Sequence, residues 1–213
     1  MLVRDRMTLN PVTVTPDVSV TEALRLMNER KIRRLPVVDT HGKLLGIVSD
    51  KDLLLASPSP ATSLAIWEIH DLLAKLTVEK TMTREVITIS EDTPLEEAAR
   101  VMVDRRIGGL PVMKGNELVG IVSESDLFKT LLELLGGRRQ GVRITVSTPG
   151  AKGTLADITG TIFGAGGDIV GLGFSEVQDG TWVNTFKVQG VAKDKLAEAM
   201  RPHVLEIIDV RET

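Results

Sequence analysis

The chain has 213 residues, 42% hydrophobic and 26% charged, with a net charge of −3. This mixture suits one to three small folded domains and excludes the basic footprint of a nucleic-acid binder or a polybasic membrane anchor. Cysteine is absent, so disulfides, zinc-thiolate and iron–sulfur sites and cysteine nucleophiles are excluded, and 3% aromatics without tyrosine leave an aliphatic core. Apolar runs such as Leu53-Leu54-Leu55-Ala56 fall far short of the roughly 20 residues that span a bilayer, and MLVRDRMTLN has no apolar leader core. The expectation is a soluble, cytoplasmic protein.

In chain order, Val12-Thr13-Val14 predicts a short strand and Pro16-Asp17 a turn. Ser19 or Thr21 then caps a helix whose apolar stripe includes Ala23, Leu26 and Met27. Leu35-Pro36-Val37-Val38 predicts a buried strand whose proline suits an edge position. Asp39-Thr40-His41-Gly42 predicts a turn, Leu44 to Val48 a strand, and Ser49 and Asp50 cap a helix from near Lys51.

The same pattern then returns. Met7-Thr8, Val12-Thr13-Val14, Glu22-Ala23, Met27 and Leu35-Pro36-Val37 recur 75 residues on as Met82-Thr83, Ile87-Thr88-Ile89, Glu97-Ala98, Met102 and Leu110-Pro111-Val112. After a one-residue deletion, Gly46-Ile47-Val48-Ser49 and Asp52-Leu53 recur as Gly120-Ile121-Val122-Ser123 and Asp126-Leu127. Ordered identity at a fixed spacing is the signature of a duplication. Between the copies, Ser57-Pro58-Ser59-Pro60 breaks the chain and Leu64 to Leu76 predicts an amphipathic helix carrying Trp67, a residue for core packing or a dimer contact.

Gly136-Gly137-Arg138-Arg139-Gln140-Gly141 predicts a linker. A different pattern follows it. Val142 to Val146 is a strand, Leu155 to Phe163 a helix, and Ile169 to Phe174 with Thr181 to Val188 an antiparallel pair around Gln178-Asp179-Gly180. Lys193 to Met200 is a helix and Val204 to Val210 a last strand, giving βαββαβ, a split-βαβ order. Phe163-Gly164-Ala165-Gly166-Gly167-Asp168-Ile169 follows a helix, so it is a helix end and turn rather than a dinucleotide fingerprint. The expected division is 1–60, 61–77, 78–135, 136–141 and 142–213.

The repeated Gly-x-x-Ser-x-x-Asp stretch has its own chemistry. Glycine lets another group approach the strand end closely. A serine at a helix start, with free N–H groups and the dipole, suits a phosphate, and an aspartate three residues on accepts from both ribose hydroxyls. The same spacing also serves simply to cap two helices. The copies differ before the Leu-Pro-Val strand. Lys31, Arg33 and Arg34 stand in the first, where two guanidiniums beside a cleft favour polyphosphate. Gly108-Gly109 stand in the second and are expected to open room instead. His41, His70 and His203 share no metal-ligand spacing, no Ser/His/Asp arrangement is present, and no catalytic residue or metal site is nominated.

The repeats resemble a tandem pair of CBS domains, a Bateman module, on the Met-Thr, Leu-Pro-Val and Gly-x-x-Ser-x-x-Asp elements over about residues 1–135. The tail is similar to an ACT domain from Thr148-Pro149-Gly150 onward, and the domain order resembles bacterial acetoin-utilisation accessory proteins. The resemblance implies an α+β fold: two βαββα units in pseudo-two-fold symmetry and a ferredoxin-like ACT-type domain. It implies a non-catalytic sensor of an adenosine nucleotide: AMP, ADP or ATP, with NAD or S-adenosylmethionine as alternatives. Implied nucleotide contacts are Thr13, Arg34, Pro36, Gly46, Ser49, Asp52, Thr88, Pro111, Gly120, Ser123 and Asp126. Ser49 and Ser123 would meet phosphate, and Asp52 and Asp126 ribose. Pro149, Gly150 and Gly153 would meet an effector of the tail. A homodimer and a regulated metabolic enzyme are the implied partners, with neither nucleic acid nor membrane. The rival readings are an assembly module with empty clefts and a nucleotide-modifying enzyme.

Overall fold

A computed structural model describes residues 1–56, 76–177 and 180–213. The Ser-Pro stretch at 57–60, most of the helix expected over 64–76 with Trp67 and His70, and Gln178-Asp179 lie outside the described residues. The chain is a mixed α+β protein and divides into two compact units, Met1–Leu127 and Phe128–Thr213.

In the first unit each copy builds one hydrophobic core around one long helix. Helix α1 (Val20–Arg30) starts at Ser19, whose Oγ accepts from the Glu22 N–H, and buries Val20, Ala23 and Met27 on one stripe. Of the two caps expected, Ser19 rather than Thr21 is used. The helix stops at Lys31, in the left-handed region at φ 54°. Its counterpart in the second copy, Leu95–Arg105, buries Leu95, Ala98 and Met102 and stops at Arg106, again at φ 54°. The duplication therefore extends to the backbone of the helix ends.

Two hairpins carry the strands. Strands β2 (Arg34–Val38) and β3 (Leu44–Ser49) pair antiparallel in the first copy, and β5 (Gly109–Lys114) and β6 (Glu117–Ser123) in the second. As the proline suggested, β2 is an edge of the two-stranded β2-β3 sheet, with only a single bridge on its outer side, whereas β5 is not. β5 lies between β6 and a two-residue strand, β4 (Ile89–Ser90), and β2 takes a parallel bridge from Val14 to Val37. Proline is tolerated because the parallel partner is so short. Val14 donates to the Pro36 carbonyl and Val38 donates to the Val14 carbonyl, so the missing Pro36 N–H is never called on. The next rung toward the N-terminus would need that N–H. The expected strand Val12-Thr13-Val14 is accordingly reduced to its last residue.

The segments leading into the two copies cross over. Strand β1 (Thr8–Leu9) pairs with β6 of the second copy, Thr8 opposite Ile121 and Leu9 opposite Gly120. Reciprocally, Thr83 bridges Ile47 of the first copy. Val3 is buried in the second copy's core with Leu95, Leu110 and Val122, while Val78 and Met82 are buried in the first copy's core with Val20, Leu35 and Val48. The two motif glycines make the crossing possible. A Cβ on Gly46 would lie 2.6 Å from Met82 Sδ, and one on Gly120 2.5 Å from Met7 Sδ.

Helix α2 (Asp50–Leu55) follows the first hairpin; helix α3 is the second copy's Leu95–Arg105, and α4 (Glu124–Leu134) follows the second hairpin. In the second unit, β7 (Val142–Pro149), α5 (Thr154–Gly164), β8 (Asp168–Glu176), β9 (Thr181–Gln189), α6 (Lys193–Met200) and β10 (Glu206–Glu212) run in the expected βαββαβ order. The sheet is antiparallel, in the order β10-β7-β9-β8. Ile158, Ile162, Leu196 and Met200 of the two helices bury against Val142, Ile144, Val146, Phe186 and Val188 of the sheet. As expected, the glycine-rich stretch after α5 is a helix end, with Gly166 at φ 88° and Gly167 donating to the Ile162 carbonyl. Gly136 to Gly141 packs into this unit: Gly136 sits against the Val170 carbonyl and Lys187, and Gly141 exchanges two backbone hydrogen bonds with Thr213.

Gly171 is the tightest point of that packing. A Cβ there would lie 2.5 Å from both the Gly136 nitrogen and the Leu135 oxygen, and backbone cannot step aside as a side chain can. Gly171→Ala is expected to destabilise the second unit by about 2–3 kcal/mol, read as a lowered urea midpoint. A midpoint within error of wild type would contradict this packing.

Candidate functional site

The two motifs fold into one geometry. At the end of β3, Ser49 is the N-cap of α2. Its Oγ accepts from the Asp52 N–H at 3.3 Å and donates to Asp52 Oδ2 at 2.7 Å, and the Ser49 N–H donates to the same Oδ2 at 2.9 Å. At the end of β6, Ser123 N–H and Oγ donate to Asp126 Oδ2 at 3.0 and 2.7 Å. Ser49 and Asp52 thus form a full capping box, and Ser123 and Asp126 repeat its serine-to-carboxylate half, each at the start of a helix. These bonds hold each carboxylate at the helix N-terminus, where the backbone dipole favours negative charge.

Above the first box lies a cleft of about 510 Å³. This is within the range of small-molecule sites. Its walls come from both copies. The first contributes Arg33, Arg34, Ile47, Ser49 and Asp52; the second contributes Thr83 to Ile87, apart from Arg84, and Arg106 to Gly109 with Pro111. The crossing described above puts them together: because Thr83 pairs with Ile47, the segment after it runs along the first copy's motif.

Among the sequence candidates, Arg34, Ser49, Asp52 and Pro111 line this cleft. Gly46 lies beneath Met82, and Pro36 is buried in β2. Ser123, Asp126 and Gly120 form the equivalent motif of the second copy, Gly120 beneath Met7. Thr13 is exposed on the strand that proline shortens. Thr88 faces away from the cleft, into a groove of about 1090 Å³ between the two hairpin turns. Of the cations lining that groove, Arg84 is paired to Glu79 and Lys114 to Glu91, both at 3.1 Å, and Lys43 lines it as well. Sequence reasoning missed Thr83, Val86, Ile87 and Ile107. The only signal for them is the repeat itself, once one copy's lead-in is taken to cross to the other.

The two glycines also differ from expectation. They do not leave open room. The Arg34 side chain lies across Gly108 and Gly109, so that a Cβ on Gly108 would overlap Nη2 and one on Gly109 would lie 3.2 Å from Cδ. Burial pulls the Arg34 pKa below its ordinary value and Arg33 adds to the pull, against Glu124, Asp50 and Asp52. Arginine stays charged under any ordinary condition, so a half-buried cation borders the cleft.

A CBS-domain family model matches residues 3–59 and 77–133. The chain belongs to the CBS-domain family. The CBS pair of protein MJ0100, in complex with 5′-methylthioadenosine and S-adenosyl-L-methionine, is 33% identical, covering 65% of this chain and 98% of that one at a TM-score of 0.52. A putative acetoin utilization protein (AcuB) from Vibrio cholerae is 33% identical, covering 65% and 95% at 0.54. CBSX2 in complex with AMP is 33% identical, covering 62% and 96% at 0.51. L-aspartate semialdehyde sulfurtransferase of Methanocaldococcus jannaschii is 35% identical over 141 residues, 65% of this chain but only 24% of that protein. The CBS match ends at residue 133, before the βαββαβ unit begins.

In that unit, β7 ends at Pro149, Gly150 lies against Trp182 and the Gly180 carbonyl, and Gly153 opens α5 at φ 93°. Trp182 and Phe174 lie beside this loop with ring centroids 5.6 Å apart and planes tilted by 38°. Among the described residues, no cluster of His, Asp and Glu suits a metal ion, and no helix is long and apolar enough to cross a membrane.

Proposed function

We propose that this chain is a non-catalytic regulatory sensor that binds an adenosine nucleotide in the CBS-pair clefts. The observation that carries this reading is the first cleft itself, where a dipole-backed Ser49–Asp52 box opens onto walls from both copies. The Asp52 carboxylate takes the ribose hydroxyls, the start of α2 with Ser49 takes phosphate, and the apolar wall of Val86, Ile87 and Ile107 takes the base. Asp126 and Ser123 do the same in the second cleft. Because both copies line the first cleft, a ligand there favours one arrangement of the halves over another, by its differential affinity for the two. AMP, ADP and ATP are the leading ligands, and the AMP and S-adenosylmethionine complexes of similar CBS pairs support an adenosyl group.

The C-terminal unit is proposed to be a ferredoxin-like, ACT-type domain; the sheet order β10-β7-β9-β8 supports this. It serves dimerisation or a second small effector near Pro149, Gly150 and Gly153. A cytoplasmic homodimer acting on a metabolic enzyme, in the manner of an acetoin-utilisation accessory protein, completes the proposal. One observation favours the rival assembly module: the serine hydroxyl and the Oδ2 of the aspartate in each motif already bond to one another without a ligand.

Titration calorimetry separates the two. The double variant Arg33→Ala/Arg34→Ala is expected to weaken ATP and ADP by about tenfold or more and adenosine by less than about threefold, because a charge-assisted bond to phosphate is lost. Equal losses for all three would remove the arginines from the phosphate end. Absence of any adenylate binding would leave the assembly module.

A further inference from the structure

The difference between Arg33-Arg34 and Gly108-Gly109 is not two independent substitutions. The backbone of Arg34 stands directly opposite Ser49 in the first hairpin, and Gly109 stands opposite Ser123 in the second. These two positions are equivalents, 75 residues apart. Only one of them carries a side chain, and that side chain crosses to the other copy. The guanidinium of Arg34 lies at the place a Cβ of Gly108 would fill, and Glu124 Oε2 lies 2.8 Å from that same place. Glu124 is the first residue of α4 and directly follows Ser123, and its N–H donates to the Gly108 carbonyl. An arginine rooted beside the first motif therefore ends beside the second. Its electrostatic partners are acidic residues of both, Asp50 and Asp52 on one side and Glu124 on the other. An arginine at 108 or 109 in the second copy would collide with it, so the pair of glycines is what a single shared cation requires.

We propose that Arg34 is a cation shared between the first cleft and the second motif, Ser123 with Asp126, and that it makes occupation of the two motifs by polyphosphate nucleotides anticooperative. This inference rests on the nucleotide-sensor reading and adds its regulation. A guanidinium fork matches one phosphate bidentately and cannot serve two sites at once. A nucleotide whose phosphates draw Arg34 into the first cleft strips the second motif of its countercharge and leaves Glu124 facing any second polyphosphate. The effect grows with phosphate count and vanishes for adenosine. The pair would then report one ATP, not two, while still accepting two uncharged nucleosides.

Titration calorimetry of the full chain with adenosine and with ATP tests this. The expected result is two adenosine sites within about threefold of one another and two ATP sites separated by about tenfold or more, the size of one charge-assisted contact. Arg34→Gln should bring the two ATP sites together, within about threefold, while shifting adenosine by less than about threefold. Arg34→Lys, which keeps the charge, should retain most of the separation and covers the case that Arg34→Gln does not fold by circular dichroism. Equal ATP sites in the wild type, a single site for both ligands, or a separation that persists in Arg34→Gln would each overturn the shared cation while leaving the sensor reading intact. No binding of either ligand would instead remove the sensor reading itself.

Discussion

Asp52→Ala is expected to weaken an adenosine nucleotide in the first cleft by about 10–100-fold. A hydrogen bond to a charged group contributes about 1.5–3 kcal/mol, and a tenfold change in affinity is about 1.4 kcal/mol. For adenosine, whose two sites Arg34 does not couple, the second site should keep its affinity, and Asp126→Ala should show the reverse pattern. Both aspartates also accept from the serine backbone N–H at a helix start, so each variant loses about 1 kcal/mol of stability without any ligand. Titration calorimetry with AMP and ATP separates the two effects, since loss of a cap alone lowers stability but not the affinity of molecules that remain folded. Unchanged affinity in both variants would mean the aspartates serve only to cap.

Val3→Asp is the second large effect, and its location matters more than its size. Val3 is fully buried, although it begins the first copy. An unpaired charge in that place is expected to cost about 3–5 kcal/mol. Because Val3 lies with Leu95, Leu110 and Val122, the loosening should fall on the second copy. Native-state hydrogen exchange reads this directly: the amides of Leu110 and Val122 should lose protection before those of Leu35 and Val48. Loss centred on the first copy would contradict the crossing of the lead-in segments.

That variant also marks where the sequence stops being legible. Helix α1 could be read from Ser19, Ala23 and Met27 because caps and the 3.6-residue stripe are local. Its repeat in α3 followed from the 75-residue spacing, and the order of the second unit from the change of periodicity after Gly141. The exchange of arms is different. Thr8 against Ile121 and Thr83 against Ile47 are pairings between distant segments, and two-residue strands carry almost no pattern. Pro36 marked an edge strand correctly, but not the single bridge at Val14, which avoids the proline nitrogen altogether. The site was legible in its motif, Ser49 with Asp52 and Ser123 with Asp126. It was not legible in its opposite wall, Thr83, Val86, Ile87 and Ile107, which only the crossing brings near. Gly108 and Gly109 read as empty space because nothing in one copy's sequence says that a side chain of the other will lie there.

Thermal unfolding of the purified chain against AMP, ADP, ATP, NAD and S-adenosylmethionine tests the central claim most directly. A ligand at a hundred times its dissociation constant adds about 2.7 kcal/mol to the state that binds it. For a chain of this size about 2–4 °C accompanies each kcal/mol, so a true ligand should raise the midpoint by several degrees. The sensor account predicts such a rise with at least one adenylate and its loss when Asp52 and Asp126 are both replaced by alanine. A folded wild-type protein that carries no nucleotide through purification and shows no shift with any of the five would contradict it.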